Sequence, residues 1–168
     1  LLKKIDVAPQ TYRDAMARFA GAVHVVTTDG DAGRRGTTAI AACSVSDSPP
    51  TVLVCLNREN ARNEPFLLNG RFALNTLSAG QQPVADAFSG LHPLSAEERF
   101  ARAEWDRIET GAPALVGALA VFDCEVVDVK DIATHRILFG RVKGIRVGEG
   151  DQPLIYFHRA YRELAHQP

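Results

Sequence analysis

A chain of 168 residues, 46% hydrophobic and 23% charged, can bury a full core without disulfide staples and reads as one domain spanning residues 1–168. Its formal net charge of −1, with Lys and Arg scattered along the chain, argues against a nucleic-acid or anionic-membrane surface. The three cysteines, at positions 43, 55 and 124, lie in apolar or small-residue surroundings with no CxxC and no zinc spacing, so they read as buried free thiols of a reducing compartment. No apolar run reaches transmembrane length, and Leu1-Leu2-Lys3-Lys4 is too short a start for a signal peptide; the expectation is a cytoplasmic protein.

Tyr12, Ala15, Met16 and Phe19 recur at spacings of three and four, which predicts a short amphipathic helix over Thr11–Phe19 with Thr11 as its N-cap and a stop near Gly21. Ala22–Thr28 is β-branched and reads as a strand, followed by a turn rich in glycine and charge from Asp29 to Gly36. Thr37–Ser46 is a strand of small residues, and Asp47-Ser48-Pro49-Pro50 is a turn, because proline fixes φ and removes ladder donors. Thr51–Leu56 is an apolar strand that runs into the polar cluster Asn57, Arg58, Asn60, Arg62 and Asn63. A small-residue strand hairpinned onto a strand with an anion-friendly end could seat a planar ring at one end and a phosphate at the other. The same pattern also fits an edge hairpin with a solvated loop.

Asn63–Leu68 suggests a helical turn, Arg71–Leu77 a strand and Gln82–Phe88 a helix with Pro83 in its first turn. Ser95–Glu104 opens on Ser-Ala-Glu-Glu, a capping box with Glu98 at the third helical position, and Trp105 closes that region. The last third is strand-rich, with Ala118–Val129, Thr134–Val142 and Leu154–Phe157 separated by turns at Lys130-Asp131 and at Gly148–Asp151. About seven strands with short peripheral helices predict a mainly β, antiparallel barrel. The βαβα alternation and GxGxxG motif of a dinucleotide-binding doubly wound sheet are missing.

The five histidines show neither metal-ligand spacing nor a nucleophile-elbow partner. His135, between Thr134 and an apolar strand, is either structural or a polar group at a pocket mouth able to bond a carboxamide. Tyr156-Phe157-His158-Arg159-Ala160-Tyr161 is either an aromatic staple or a stacking and phosphate-binding pair, Tyr161 with Arg159, for a nucleotide.

Eight segments in order carry a resemblance over nearly the whole chain: Ala-Ala-Cys-Ser-Val-Ser-Asp-Ser-Pro-Pro-Thr (41–51), Asn-Thr-Leu-Ser-Ala-Gly-Gln (75–81), Ala-Asp-Ala-Phe-Ser-Gly (85–90), Glu-Arg-Phe (98–100), Gly-Ala-Pro (111–113), Phe-Asp-Cys (122–124), Thr-His-Arg-Ile-Leu-Phe (134–139) and Leu-Ile-Tyr-Phe-His-Arg-Ala-Tyr (154–161). In these the chain resembles the flavin reductases of the split-barrel fold, an antiparallel Greek-key barrel. The family includes the small components of two-component flavin monooxygenases, reductases of pyrimidine degradation and corrin reductases of cobalamin synthesis. Flavin- or heme-binding proteins without catalysis share a similar barrel.

The resemblance implies a homodimeric NAD(P)H:flavin oxidoreductase that passes hydride from NADH, or NADPH, to FMN, or FAD, and feeds a monooxygenase partner or another acceptor. It places the flavin ring on Thr37, Thr38, Ala39, Ala41, Ala42, Cys43 and Ser44, and the flavin phosphate at Asn57, Arg58, Asn60, Ala61 and Arg62. Phe88 and Ser89 are expected beside the flavin. His135 is expected near the nicotinamide as a positioning group, and Tyr156, Arg159 and Tyr161 around the pyridine nucleotide. Arg58 and Arg62 are the candidate phosphate partners, with Asn57 and Asn60 as neutral donors; Asn60-Ala61-Arg62 departs from relatives in lacking the Ser/Thr hydroxyls common at this loop, which leaves open which of them grips the phosphate.

Overall fold

The computed structural model describes residues 4–150 and 152–164. Helix α1 (Pro9–Met16) begins at a proline, whose fixed φ and missing N–H suit the first helical position. It therefore starts two residues before the expected Thr11 cap, and Ala8 stands at the cap position. Next come β1 (Gly21–Ala22), β2 (His24–Thr28) and β3 (Arg35–Ala39). The expected single strand Thr37–Ser46 is two strands, because the chain breaks at Ile40-Ala41 before β4 (Ala42–Asp47). Strand β5 (Pro50–Asn57) starts at a proline, which a first strand position tolerates.

A 3-10 turn at Ala61–Asn63 leads into α2 (Glu64–Leu68), β6 (Arg71–Thr76), α3 (Gln82–Phe88) and α4 (Ala96–Phe100). The capping box at Ser95 is present: its hydroxyl accepts from Glu98 N at 3.1 Å and Glu98 Oε2 accepts from Ser95 N at 2.6 Å. Trp105 opens a two-residue strand, β7 (Trp105–Asp106), paired with β8 (Ala114–Leu115). The two longest strands, β9 (Ala120–Ile132) and β10 (His135–Val147), outrun the lengths expected from sequence and form a hairpin over Ala133-Thr134. The C-terminal hairpin is β11 (Ile155–Phe157) and β12 (Ala160–Arg162), the latter not expected from the sequence. Within the expected turn at 148–151, Asp151 lies outside the described residues, as does His166.

Strands β3-β2-β6-β9-β10-β5-β4 form one antiparallel sheet in that order. Its two end strands, β3 and β4, are consecutive in the chain and joined only by Ile40-Ala41. Two residues of chain cannot cross an open seven-stranded sheet, since neighbouring strands lie about 4.8 Å apart. The sheet must therefore curl until its edges meet at one end, which makes a barrel split along the β3–β4 seam. Here Cys55 N donates to Ala41 O at 2.9 Å and fastens the join to β5. This is the split-barrel, antiparallel fold expected from the sequence.

Alternation along the strands sorts the core into two layers. Val26, Leu74, Phe72, Val54, Phe66 and Leu138 fill the barrel. Val25, Ala73, Leu77, Phe88, Phe100 and Leu154 pack outside it under α3 and α4. Because β2 is covered on both sides, all five of its residues are buried, including His24, Thr27 and Thr28. Buried Asn75 serves as a cross-brace: its amide donates to Val25 O at 2.8 Å and its oxygen accepts from Leu115 N at 2.7 Å. The small sheet β1-β11-β12 is stitched to the barrel by Val23 N to Leu154 O and Leu154 N to Leu77 O, at 2.9 and 3.0 Å.

Two stability consequences are measurable. A Cβ at Gly140 would stand 2.4 Å from Phe72 and 2.8 Å from Cys124 Cβ inside the packed barrel. Gly140→Ala should lower unfolding free energy by about 1–3 kcal/mol in urea titration. Burial pushes the His24 imidazole down from 6.5 to about 4. Between those values the unfolded chain binds the extra proton, so stability falls as pH drops through this window. The loss should reach about 3 kcal/mol near pH 4, and His24→Gln should remove that part of the pH slope in urea titrations at pH 7 and 4.5.

Candidate active site

Two clefts border β3. One, of about 360 Å³, is lined by Thr38, Ala39, Ile40, Ser89, Tyr156 and Tyr161, with Arg159 at its margin. The other, of about 540 Å³, is lined by Arg34, Arg35, Arg62, Leu94, Ser95 and Arg99. Arg35 and Ala39 are four residues apart on an extended strand, about 13 Å. The segment from Ser89 to Leu94 walls both clefts. The strand and this wall thus run past two neighbouring clefts, one apolar and aromatic, the other cationic.

The apolar cleft is shaped by small residues and tyrosines. Thr38 Oγ1 donates to Ala85 O at 2.6 Å, so the hydroxyl is spent on holding β3 against α3. Tyr156 and Tyr161 face each other across β11 and β12 in an edge-on contact, ring centroids 5.5 Å apart. Burial, and then the charge of Asp86, raises the Tyr161 phenol above its ordinary pKa, so Tyr161 stays a neutral donor at physiological pH. Both β3 and β4 end the sheet, so among the described residues their outer edges carry backbone N–H and C=O groups with no neighbouring strand. A flat heterocycle with amide-like edges suits that seam.

The cationic cleft concentrates guanidinium groups. Burial, and then repulsion from Arg99 and Arg62, lowers Arg35 to about 10. It still carries its charge at neutral pH, in a cleft where an incoming anion would relieve the repulsion. Arg99 is buried and donates to Leu94 O at 3.0 Å, Ala87 O at 2.7 Å and His92 O at 3.1 Å. It therefore shapes the wall between the clefts while bringing a positive charge to one of them. Arg35 is steadied by Asn63 Oδ1 at 3.2 Å, and Arg34 lies over the Phe100 ring at 5.2 Å.

The structure gathers Thr38, Ala39, Ser89, Tyr156, Arg159 and Tyr161 into the first cleft and Arg62 into the second. Thr37 lies on β3 opposite Val26, and Ala41 and Ala42 sit at the join and start of β4. Cys43 and Ser44 are exposed on β4; of the three cysteines expected to be buried, Cys124 is, Cys55 is half-buried, and Cys43 is not, because β4 is an end strand of the sheet. Phe88, expected beside the flavin, is 1% exposed, lies edge-on to Phe100 and Trp105, and lines neither cleft. Gly36 makes that possible, since a Cβ there would fall 2.4 Å from the Phe88 ring.

Arg58 is engaged by Asp131 at 3.4 Å, and Asn57 and Asn60 accept from Glu59 N and Arg62 N. They and Ala61 build the loop that carries Arg62. His135 is exposed at the base of the β9–β10 turn, paired with Asn57 across β5, its Nδ1 within 2.9 Å of Thr134 Oγ1. It lines neither cleft of its own chain. Arg34, Arg35 and Arg99 were not singled out from sequence. The adjacent Arg34-Arg35 just before the small-residue strand was the available signal; Arg99 gave none beyond its place in Glu-Arg-Phe.

The flavin reductase like domain model matches residues 16–165. The chain belongs to the flavin reductase family. It is 48% identical over 162 residues to the FMN reductase (NADH) RutF of Ancylobacter novellus, covering 96% of this chain and 88% of that one. A Haemophilus somnus 129PT protein assigned as a flavin reductase superposes with a TM-score of 0.90 at 43% identity, over 94% of this chain and 100% of the other. The styrene monooxygenase flavin reductase of Pseudomonas putida S12 gives 0.81 at 28% identity, over 94% and 99% of the two chains. In this flavin reductase, replacing Arg35 with Ala should weaken FMN about tenfold or more while leaving riboflavin, which lacks the phosphate, within about twofold, measured by flavin fluorescence quenching.

Proposed function

We propose that the protein is an NADH:FMN oxidoreductase that supplies reduced flavin to a monooxygenase component. The observation that carries this reading is the placing, along the one strand β3, of an aromatic cleft beside a cluster of four arginines. That pairing matches a molecule with a planar ring at one end and a phosphate at the other. FMN is such a molecule, and FMN and NADH are the pair in the name of the Ancylobacter relative. The Pseudomonas relative, a styrene monooxygenase reductase, supports the monooxygenase as acceptor.

The β3–β4 seam would hold the flavin ring through backbone groups beside Thr38, Ala39 and Ala42, with Arg35 and Arg62 at its phosphate. Bound flavin supplies the hydride-accepting chemistry, and the protein contributes distance and orientation. Tyr156 and Tyr161 wall the site for the nicotinamide dinucleotide, and Arg159 offers a guanidinium for its phosphates. No side chain is needed as an obligate acid.

Two copies form the working unit. His135 then serves the nicotinamide site of the partner, which accounts for its exposure and its distance from the clefts of its own chain. Exposed Val45, Val127 and Ile145 on β4, β9 and β10 give a second copy apolar surface to cover. Among the described residues no helix is long and apolar enough to cross a membrane. Free Cys43, Cys55 and Cys124 support a reducing, cytoplasmic setting.

The test is steady-state NADH oxidation with FMN, FAD and riboflavin supplied in turn. Turnover should saturate with FMN; absence of turnover despite FMN binding would overturn the reading. His135→Ala should raise the KM for NADH roughly three- to tenfold with FMN binding little changed. An unchanged KM would remove His135 from the site.

A further inference from the structure

The turn between β11 and β12 is formed by His158 and Arg159, and both hold left-handed backbone, φ 50° and 59°. A two-residue hairpin of this kind ordinarily takes Asn-Gly, since L side chains are strained there. Helix α1 holds the turn: His158 N donates to Ala17 O at 2.8 Å, and the Arg159 guanidinium forms an ion pair with Asp14. The His158 ring also stacks on Phe157, centroids 4.4 Å apart at 24°. No residue of α1 is buried, so the helix depends on such polar contacts for its place.

Arg159 is shared between two clefts. On one side it borders the tyrosine-lined site; on the other it closes a smaller recess of about 190 Å³ with Asp14, Ala17, Arg18 and His158. Asp14 Oδ1 also accepts from Gln10 Nε2 of its own helix at 2.8 Å, so the carboxylate keeps a partner when the arginine leaves it. Both side chains are about half exposed, at 56% and 54%. Such a pair is weak and readily exchanged. A phosphate that presents two oxygens to the planar fork of the guanidinium is the stronger acceptor.

We propose that Asp14 is a positioning residue for Arg159, holding its guanidinium in the free protein and competing for it with the phosphates of the nicotinamide dinucleotide. This rests on the reading of Tyr156, Arg159 and Tyr161 as the dinucleotide site. An internal anion that reclaims the arginine weakens both the entering and the departing dinucleotide. It thus shortens the residence of the oxidised product, and product release is a step that limits many enzymes.

The experiment is steady-state oxidation of NADH at saturating FMN by the full chain and by Asp14→Asn, Asp14→Glu, Arg159→Ala and the Asp14→Asn/Arg159→Ala double variant. Product inhibition by NAD⁺ and FMN affinity are measured alongside. In Asp14→Asn the KM for NADH and the inhibition constant of NAD⁺ should fall together by about two- to fivefold, the worth of an exposed ion pair. Asp14→Glu should restore the parent values, and the double variant should match Arg159→Ala, because Asp14 acts only through that arginine. If Arg159→Ala raises the KM but Asp14→Asn leaves it unchanged or raises it, the role of Asp14 is overturned and the dinucleotide site stands. A KM unmoved by Arg159→Ala would sink the site assignment itself. A fall in FMN affinity or melting temperature in Asp14→Asn, with no tightening of NAD⁺, would make Asp14 a structural contact only.

Discussion

Two residues, Ile40 and Ala41, must connect strands at opposite ends of a seven-stranded sheet. That covalent constraint makes the sheet curl, and the site follows from the curl. Where β3 and β4 meet they do not pair: the chain bends at Ile40-Ala41, and each strand pairs on one side alone, β3 with β2 and β4 with β5. The result is a seam of backbone donors and acceptors in a wall of small side chains. A closed barrel would have spent those groups on its own ladder. An open sheet would have left them to water.

The second layer of the structure exists to furnish that seam. Helix α3 reaches β3 through Thr38 and Ala85 and through the Phe88 ring seated over Gly36. Phe88, Phe100 and Trp105 then form an aromatic block with centroids 4.9–5.7 Å apart, and the segment after α3 lies on it. The three carbonyl contacts of Arg99 fix this segment's path. The C-terminal hairpin contributes the tyrosines from the opposite side, carried in by the backbone bonds of Val23 and Leu154.

Much of this was legible in the sequence, for physical reasons that differ from place to place. The capping box at Ser95 and the turn before Thr51 are local signals and legible as such, although the turn is confined to Ser48-Pro49, since Asp47 and Pro50 pair as the last and first residues of β4 and β5. The break at Ile40-Ala41 was not legible, since every residue from Thr37 to Ser46 is compatible with extended backbone and only the topology forces the interruption. Strand β12 was hidden because its turn uses His158 and Arg159 where Asn and Gly would have announced it. Arg62 could be picked from its loop, whereas Arg35 and Arg99 join it only through folding, from a strand and a helix distant in sequence. Phe88 illustrates the reverse case: it adjoins a site residue in the chain but points into the core.

Arg99 has a consequence that goes beyond shape. Its charge is surrounded by carbonyl dipoles, and among the described residues no carboxylate forms an ion pair with it. Dipoles stabilise a cation without cancelling it, so its field extends into the neighbouring cleft and adds to those of Arg35 and Arg62. In a chain whose formal net charge is −1, this is a local concentration of positive charge. Capture of a small dianion by such a concentration is a matter of encounter rate and fades as salt shortens the reach of the field to about 8 Å at physiological ionic strength. A protein that must collect a scarce, freely diffusing anion gains speed of capture from an arginine that need never touch it.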